Sequence, residues 1–389
     1  MYCVKKMTED LYWVGASERR LNLFENAYPL TNGVSYNSYL LLDEKTVLID
    51  TVDKSVSGLF FENVDHVLAG RKLDYLIVQH MEPDHAATIS ELVLRHPEVT
   101  VVCNAKTRTM MQNFFTFDLD SRVQLVKEMD TLTTGRHTFA FVMAPMVHWP
   151  EVIVTYDCTD KVLFSADGLG KFGALDVEDP EGWACEARRY YFGIVGKFGA
   201  QVQALLKKAA AVDIQTVCPL HGPVLTGEEL AEALRLYDIW SRYDVESEGV
   251  MIAYASVYGN TEKAAQLLAE KLKEQGCPKV VLTCVQREDW AEAVEDAFRY
   301  GKLVLAAPTY NGFLFPAMRE FLEHLTERNY QNRQVAFIEN GSWAPAAAKE
   351  MKKLLEGCKN VTLGSTVTIR SAMTEETPAQ LDALAQELR

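Results

Sequence analysis

From Val250 onward, five short apolar segments recur, each joined to the next by a stretch of helical periodicity, and that alternation leaves few folds open. The segments are Val250 to Ser256, Val280 to Cys284, Leu303 to Ala307, Gln334 to Glu339 and Val361 to Ile369. Strands connected through helices run parallel, because a parallel pair needs a crossover of a dozen or more residues. Five such units predict a doubly wound parallel five-stranded sheet. Just upstream, Thr226 with Glu229 three residues later reads as a capping box that opens a helix reaching Tyr243. The polar run from Asp244 to Gly249 closes that helix, and the domain boundary is placed there, giving domains 1–248 and 249–389.

The first domain has a different grammar. Leu11 to Val14, Ser38 to Leu42 and Thr46 to Asp50 read as an antiparallel meander. From Asp74 the pattern changes to strand then helix: Asp74 to Gln79 before Ala86 to Arg95, and Thr100 to Cys103 before Lys106 to Phe114. The fold class is therefore α/β and α+β. The 389 residues exceed what one core usually organises. Lys and Arg number 39 against 54 Asp and Glu, and the resulting charge of −15 repels phosphate backbones and anionic lipid. Neither nucleic acid nor a membrane is an expected partner, and no apolar run reaches spanning length. The eight cysteines contain no C-x-x-C pair, which argues against a rubredoxin module, a zinc ribbon or a secreted disulfide framework. Met1 to Gly15 mixes Lys5, Lys6, Glu9 and Asp10 with its apolar residues and holds no signal-peptide core, so a reducing cytoplasm is the expected compartment.

Two of the eight histidines fall in one short segment, His80-Met81-Glu82-Pro83-Asp84-His85, which follows an apolar strand and precedes a helix. Strand-to-helix loops of this kind are where α/β sites are built. Three more apolar strands end on a ligand type: Phe139 to Val147 runs into His148, Val162 to Ser165 into Asp167, and Ile214 to Cys218 into His221. A single polar residue at a strand end is ordinarily a cap, but four ends with complementary ligands predict one convergent metal site. Four histidines with Glu82, Asp84 and Asp167 exceed the needs of one tetrahedral ion, so two metals sharing a carboxylate are implied. Imidazole and carboxylate without thiolate suit iron, manganese or zinc.

The spacing His80-x-Glu82-x-Asp84-His85, then His148, Asp167 and His221, resembles the flavodiiron branch of the metallo-β-lactamase superfamily, whose hydrolases carry histidine where this chain has Glu82. The resemblance implies an αββα sandwich. It further implies that His80, Glu82 and His148 bind one iron, Asp84, His85 and His221 the other, and that Asp167 bridges them. No catalytic residue beyond these ligands is expected.

In the second domain the first strand leads into Ser256-Val257-Tyr258-Gly259-Asn260-Thr261, with a helix directly after. Hydroxyls, a glycine and free N–H groups at a helix start form an anion cradle. No lysine lies in the loop, so it is not a nucleotide-hydrolysing P-loop. Two further strand ends supply Pro308-Thr309-Tyr310-Asn311-Gly312 and Asn340-Gly341-Ser342-Trp343, where Tyr310 and Trp343 are stacking candidates for a flat ring. Together the three loops resemble the FMN site of flavodoxin, the second half of flavodiiron proteins (A-type flavoproteins), so the resemblance spans nearly the whole chain.

The resemblance implies an oxidoreductase that reduces O2 to water, NO to N2O, or both. A diiron pair and a reduced flavin store two electrons each, enough to take O2 to two waters. An external donor such as rubredoxin or a reduced flavoprotein is expected, as is a head-to-tail homodimer, on its own or paired into a dimer of dimers. A dizinc hydrolase would explain the first domain and leave the flavin module idle. Gly168-Leu169-Gly170-Lys171-Phe172-Gly173 matches a dinucleotide fingerprint, but Pro180 and Gly182 interrupt the helix that fingerprint requires. His66, His96, His137 and His324 are read as structural, with His96 a cation closing a helix. Tyr190 and Tyr191 are read as core.

Overall fold

The computed structural model describes residues 2–389. Contacts divide the chain into two compact units, one running to Tyr191 and including Ala200–Tyr237, the other formed by Phe192–Gly199 and Asp238–Arg389.

Besides two two-stranded ribbons, Ala16–Glu18 with Val34–Tyr36 and Leu23–Phe24 with Tyr28–Pro29, the first unit contains two large sheets. One orders seven strands as Lys5–Lys6, Leu11–Trp13, Tyr39–Leu42, Thr46–Ile49, Tyr75–Ile77, Thr100–Cys103 and Val123–Leu125. The first four pair antiparallel, and the last three continue parallel to Thr46–Ile49. The other orders six strands as Thr131–Thr133, Thr138–Met143, Ile153–Asp157, Val162–Phe164, Thr216–Cys218 and Leu225–Thr226. Every pair is antiparallel except Val162–Phe164 with Thr216–Cys218.

Alternation explains how the sheets meet. Tyr39, Leu41, Val47 and Ile49 from one sheet share a buried cluster with Phe139, Phe141, Ile153 and Phe164 from the other. Residues two apart point to one face of a strand, so this cluster is the sandwich filling. Leu40, Leu48, Leu76 and Val101 point the other way and are equally buried. Helix Ser57–Leu68 packs on that outer face and buries Phe60, Phe61, Val64 and Leu68. Leu205 and Ala209 of helix Gly199–Ala209 lie across from Val142, Val154 and Leu163 of the second sheet, completing the αββα layering.

The second unit has five parallel strands in the order Val280–Cys284, Ser247–Tyr254, Tyr300–Tyr310, Gln334–Asn340 and Thr362–Ile369. This 2-1-3-4-5 order belongs to flavodoxin-like sheets, whose ligands sit beyond the carboxyl ends of the strands. Helix Asn260–Glu274 turns Ala264, Leu268 and Leu272 into the core against Leu381, Leu384 and Leu388, a four-residue spacing that keeps one helix face apolar.

At the edge of the second sheet of the first unit, buried His137 lies between two carboxylates: Nδ1 is 2.7 Å from Asp157 and Nε2 2.9 Å from Asp10. Arg136 pairs with Asp10 and Asp160 beside it, and Asp43 accepts the His137 backbone N–H. Burial opposes the imidazolium, but Asp157 and Asp10 outweigh it and raise the pKa to about 9. A pKa raised on folding makes its stabilisation complete below the ordinary value near 6.5 and lost as pH climbs through about 9. Chemical denaturation of the wild type is therefore expected to show falling stability across that window. The His137→Gln variant should be less stable at pH 6 and lack this component of the slope; parallel profiles for the two proteins would contradict it.

Candidate metal centre and cofactor pocket

All seven ligand candidates of the first unit meet at one end of the sandwich. His80 follows strand Tyr75–Ile77, Glu82 caps the short helix Pro83–Ala86, and Asp84 and His85 lie inside that helix. Asp167 and His221 each follow a strand end by three residues. His148 departs from the sequence expectation, because its strand stops at Met143 and does not reach Val147. Pro145 has no N–H to continue the ladder, and Met146 takes a positive φ of 64° in a turn closed by its N–H on Trp149 O. His148 therefore projects from a loop.

Their side chains separate into two sets. Glu82 Oε2 lies 3.2 Å from His80 Nε2 and 3.0 Å from His148 Nε2. Asp84 Oδ2 lies 3.3 Å from His85 Nε2 and 3.2 Å from His221 Nε2, while those two nitrogens are only 3.1 Å apart. Asp167 divides its oxygens: Oδ2 is 3.2 Å from both His80 and His148, and Oδ1 is 3.3 Å from His85 and 3.6 Å from His221. Each set brings its donor atoms within 4.8 Å of one another.

The donor chemistry fits metal ions. Both oxygens of Asp84 and Oδ1 of Asp167 are buried without a hydrogen bond, and buried carboxylates need compensating positive charge. The imidazoles are aimed from behind: His80 Nδ1 donates to Glu151 Oε1 at 2.8 Å, and His221 Nδ1 to Ser35 O at 2.7 Å. A proton fixed on Nδ1 leaves the Nε2 lone pair facing inward. The field of the carboxylates shows the same preference for cations. Burial pushes His148 down, yet Asp167 and Glu82 raise it to about 9, and His80 is raised against its burial by Asp167, Glu151 and Glu82.

Supporting residues that sequence reasoning missed come from distant segments. Glu151 also accepts the Met81 N–H at 2.9 Å. Asp50, at a positive φ of 54°, accepts from the Gln79 backbone and side chain at 2.7 and 2.9 Å. The strand-end rule that found the ligands would have found Asp50, since it follows Thr46–Ile49. Glu25 turns the hairpin between Leu23–Phe24 and Tyr28–Pro29. It is exposed by total area, but its carboxyl end reaches Glu82; local burial and that neighbouring charge push it up to about 8. Gly222 must be glycine, having a φ of 80° and a Cβ position 2.5 Å from Lys171 Cγ. Tyr190 is buried with its ring 5.5 Å from His221.

Glu151→Ala frees the His80 ring and is expected to weaken metal binding by about 10- to 100-fold. Competition with a chromophoric chelator measures this, and unchanged affinity would mean that other contacts hold His80.

The dinucleotide-like segment behaves as a loop, with helix resuming only at Trp183. His96 does close helix Ile89–Arg95, but burial pushes its pKa down, so it favours the neutral form and not the expected cation.

In the second unit the three loops line one pocket of about 560 Å³, within the usual range for small-ligand sites. Ser256, Val257, Tyr258, Asn260 and Thr261 line it from the first loop, Pro308 to Gly312 from the second, and Asn340 to Trp343 from the third. Gly259 is not among the lining residues; its φ of 86° turns the chain into helix Asn260–Glu274. Ala344 and Ser371 complete the lining and were not anticipated. Asn340 holds Ser371 by two bonds, Oδ1 accepting from its N–H at 3.1 Å and Nδ2 donating to its carbonyl at 3.0 Å. Tyr258 and Trp343 stand 92% and 87% exposed at the mouth, free to close on a ring. Among the described residues no helix is long and apolar enough to cross a membrane.

Residues 34–222 match the ODP family beta lactamase model and residues 251–383 a flavodoxin domain model. The rubredoxin oxygen:oxidoreductase of Desulfovibrio gigas superposes with a TM-score of 0.92 at 26% identity, covering 99% of this chain and 98% of that one. The flavodiiron protein of Giardia intestinalis superposes with a TM-score of 0.91 at 25% identity, covering 99% and 96%. A nitric oxide reductase of Moorella thermoacetica is 26% identical over 361 residues, 91% of this chain and 90% of its own.

Proposed function

We infer the activity of this chain from the premise that it belongs to the flavodiiron proteins, in which a β-lactamase-like domain is fused to a flavodoxin domain. It is an oxidoreductase that reduces O2 to water, NO to N2O, or both. Its cofactors are FMN and a non-haem iron pair, which when bound supply the electrons that O2 or NO takes up. The observation that carries the reading is the split carboxylate of Asp167, with one oxygen toward each ligand set, on the same chain as a flavodoxin-type pocket.

The residues present have definable tasks. His80, Glu82 and His148 would hold one iron and Asp84, His85 and His221 the other, with Asp167 common to both. Two divalent ions would bring four positive charges against three carboxylates, leaving only one net positive charge in the buried setting. Glu151 and Ser35 fix the proton on Nδ1 of His80 and His221 and keep the Nε2 atoms available. In the second unit the N–H groups at the start of helix Asn260–Glu274 would receive the FMN phosphate, while Tyr310 and Trp343 would flank the ring.

The donor in this reading is rubredoxin or a reduced flavoprotein, in keeping with the oxygen reductase it resembles. We place the protein in the cytoplasm and take the working form to be a head-to-tail homodimer, or a pair of such dimers. The exposed Tyr258, Phe313 and Trp343 support association, since an apolar rim of this kind marks an interaction surface.

Metal and flavin analysis followed by anaerobic assay tests the proposal. Iron and FMN should co-purify with the chain, and the protein reduced through rubredoxin should consume NO or O2. Stoichiometric zinc, no flavin and no gas uptake would replace this reading with a hydrolytic one.

A further inference from the structure

We infer that Gln286, which lies outside all three pocket loops, is a positioning residue that sets the affinity of the pocket for the FMN phosphate. The inference rests on the FMN reading above. The ladder between strands Ser247–Tyr254 and Val280–Cys284 ends at Tyr254 opposite Cys284, and the Val285 N–H extends it by one bond to Tyr254 O. Beyond that point the backbone of 285–288 turns away, with the N–H groups of Arg287 and Glu288 returning to Cys284 O. The Gln286 side chain then takes over the role of a strand partner. Its Oε1 accepts the Ser256 N–H at 2.9 Å and its Nε2 donates to the Ser256 carbonyl at 3.1 Å. One primary amide thus holds both backbone groups of the first cradle residue.

Ser256 transmits this restraint. Its Oγ accepts the Gly259 N–H at 3.0 Å, closing the loop where Gly259 turns into the helix. The cradle is then fixed at its first and fourth residues. Among the described residues, the N–H groups of Val257, Tyr258, Asn260 and Thr261 make no bond to a protein acceptor and are left for an anion. A loop held open in this way loses little freedom when the phosphate arrives, and preorganisation of that kind appears as affinity. Gln286 is half-buried and fills no core position, so its removal leaves no cavity that would unsettle the sheet.

The test uses the full chain freed of flavin and titrated with FMN and with riboflavin, which lacks the phosphate, following flavin fluorescence. Gln286→Leu, close in size and unable to hydrogen bond, is expected to weaken FMN binding by about 10- to 100-fold, the loss of two neutral hydrogen bonds. Riboflavin affinity should stay within about twofold, since both bonds act on the phosphate end. Gln286→Glu keeps the acceptor, loses the donor and adds a charge beside the phosphate, so it should discriminate against FMN at least as strongly. Wild-type FMN affinity in both variants would overturn the inference and leave the FMN reading standing. Equal weakening of FMN and riboflavin would also overturn it, by making Gln286 merely structural. A wild-type chain that binds neither flavin would end both.

Discussion

Asp167→Ala is expected to empty both metal positions together, taking iron from a full pair to less than about half an ion per chain and gas turnover down by at least about a thousandfold. The reason lies in how its two oxygens are shared. Oδ2 faces His80 and His148, Oδ1 faces His85 and His221, and among the described residues no other side chain touches both sets in this way. Without it, each set keeps two histidines and a single carboxylate, and the mutual charge compensation of the buried centre is lost. Asp167→Asn sharpens the test, because an amide offers one ligand oxygen and one N–H₂ group. It should retain one iron and lose the other. Metal analysis by mass spectrometry beside the flavin absorbance reads the outcome; a doubly loaded Asp167→Ala protein would remove Asp167 from its bridging role. FMN content should not change, since the two cofactor sites lie in different compact units of the chain.

The legible part of this site was local. A buried apolar run followed within a few residues by His, Asp or Glu announces itself in the sequence, and His80, Asp167 and His221 all follow that rule. Its supports do not, because they act at long range: Glu151 reaches His80 across 71 residues, and Ser35 reaches His221 across 186. Asp50 obeys the strand-end rule yet its oxygens are taken by the Gln79 backbone and side chain, so its residue type alone could not rank it. Strands such as Val123–Leu125 and Thr131–Thr133 span three residues, too few to show a period, and exist because a neighbouring strand supplies the ladder. The second unit was clearer, since longer strands alternating with helices carry both periodicities. Even there Gln286 was hidden. It lies in the turn after strand Val280–Cys284, and only the assembled sheet brings its amide to Ser256.

Thr261→Glu is expected to produce the converse protein, with iron retained and flavin absent. Thr261 is buried in the first turn of helix Asn260–Glu274, where the free N–H groups and the positive end of the helix dipole favour an anion. A carboxylate at that position satisfies those donors from within the chain and repels the phosphate that would otherwise use them. Two like charges about 4 Å apart at an effective dielectric of about 20 cost about 4 kcal/mol, which corresponds to about a thousandfold in FMN affinity. The helix should tolerate the change, because acidic residues in a first turn stabilise it, and Glu262 already lies beside it. The isolated protein should therefore be nearly colourless at flavin wavelengths, hold its full iron complement, and show no gas uptake when rubredoxin is the reductant. Added FMN at millimolar concentration should restore part of the uptake, while added riboflavin should restore as much or more, having no phosphate to be repelled. Undiminished FMN binding would show that the phosphate is held elsewhere in the pocket, and turnover without flavin would show that electrons reach the iron centre by a route that bypasses the second unit.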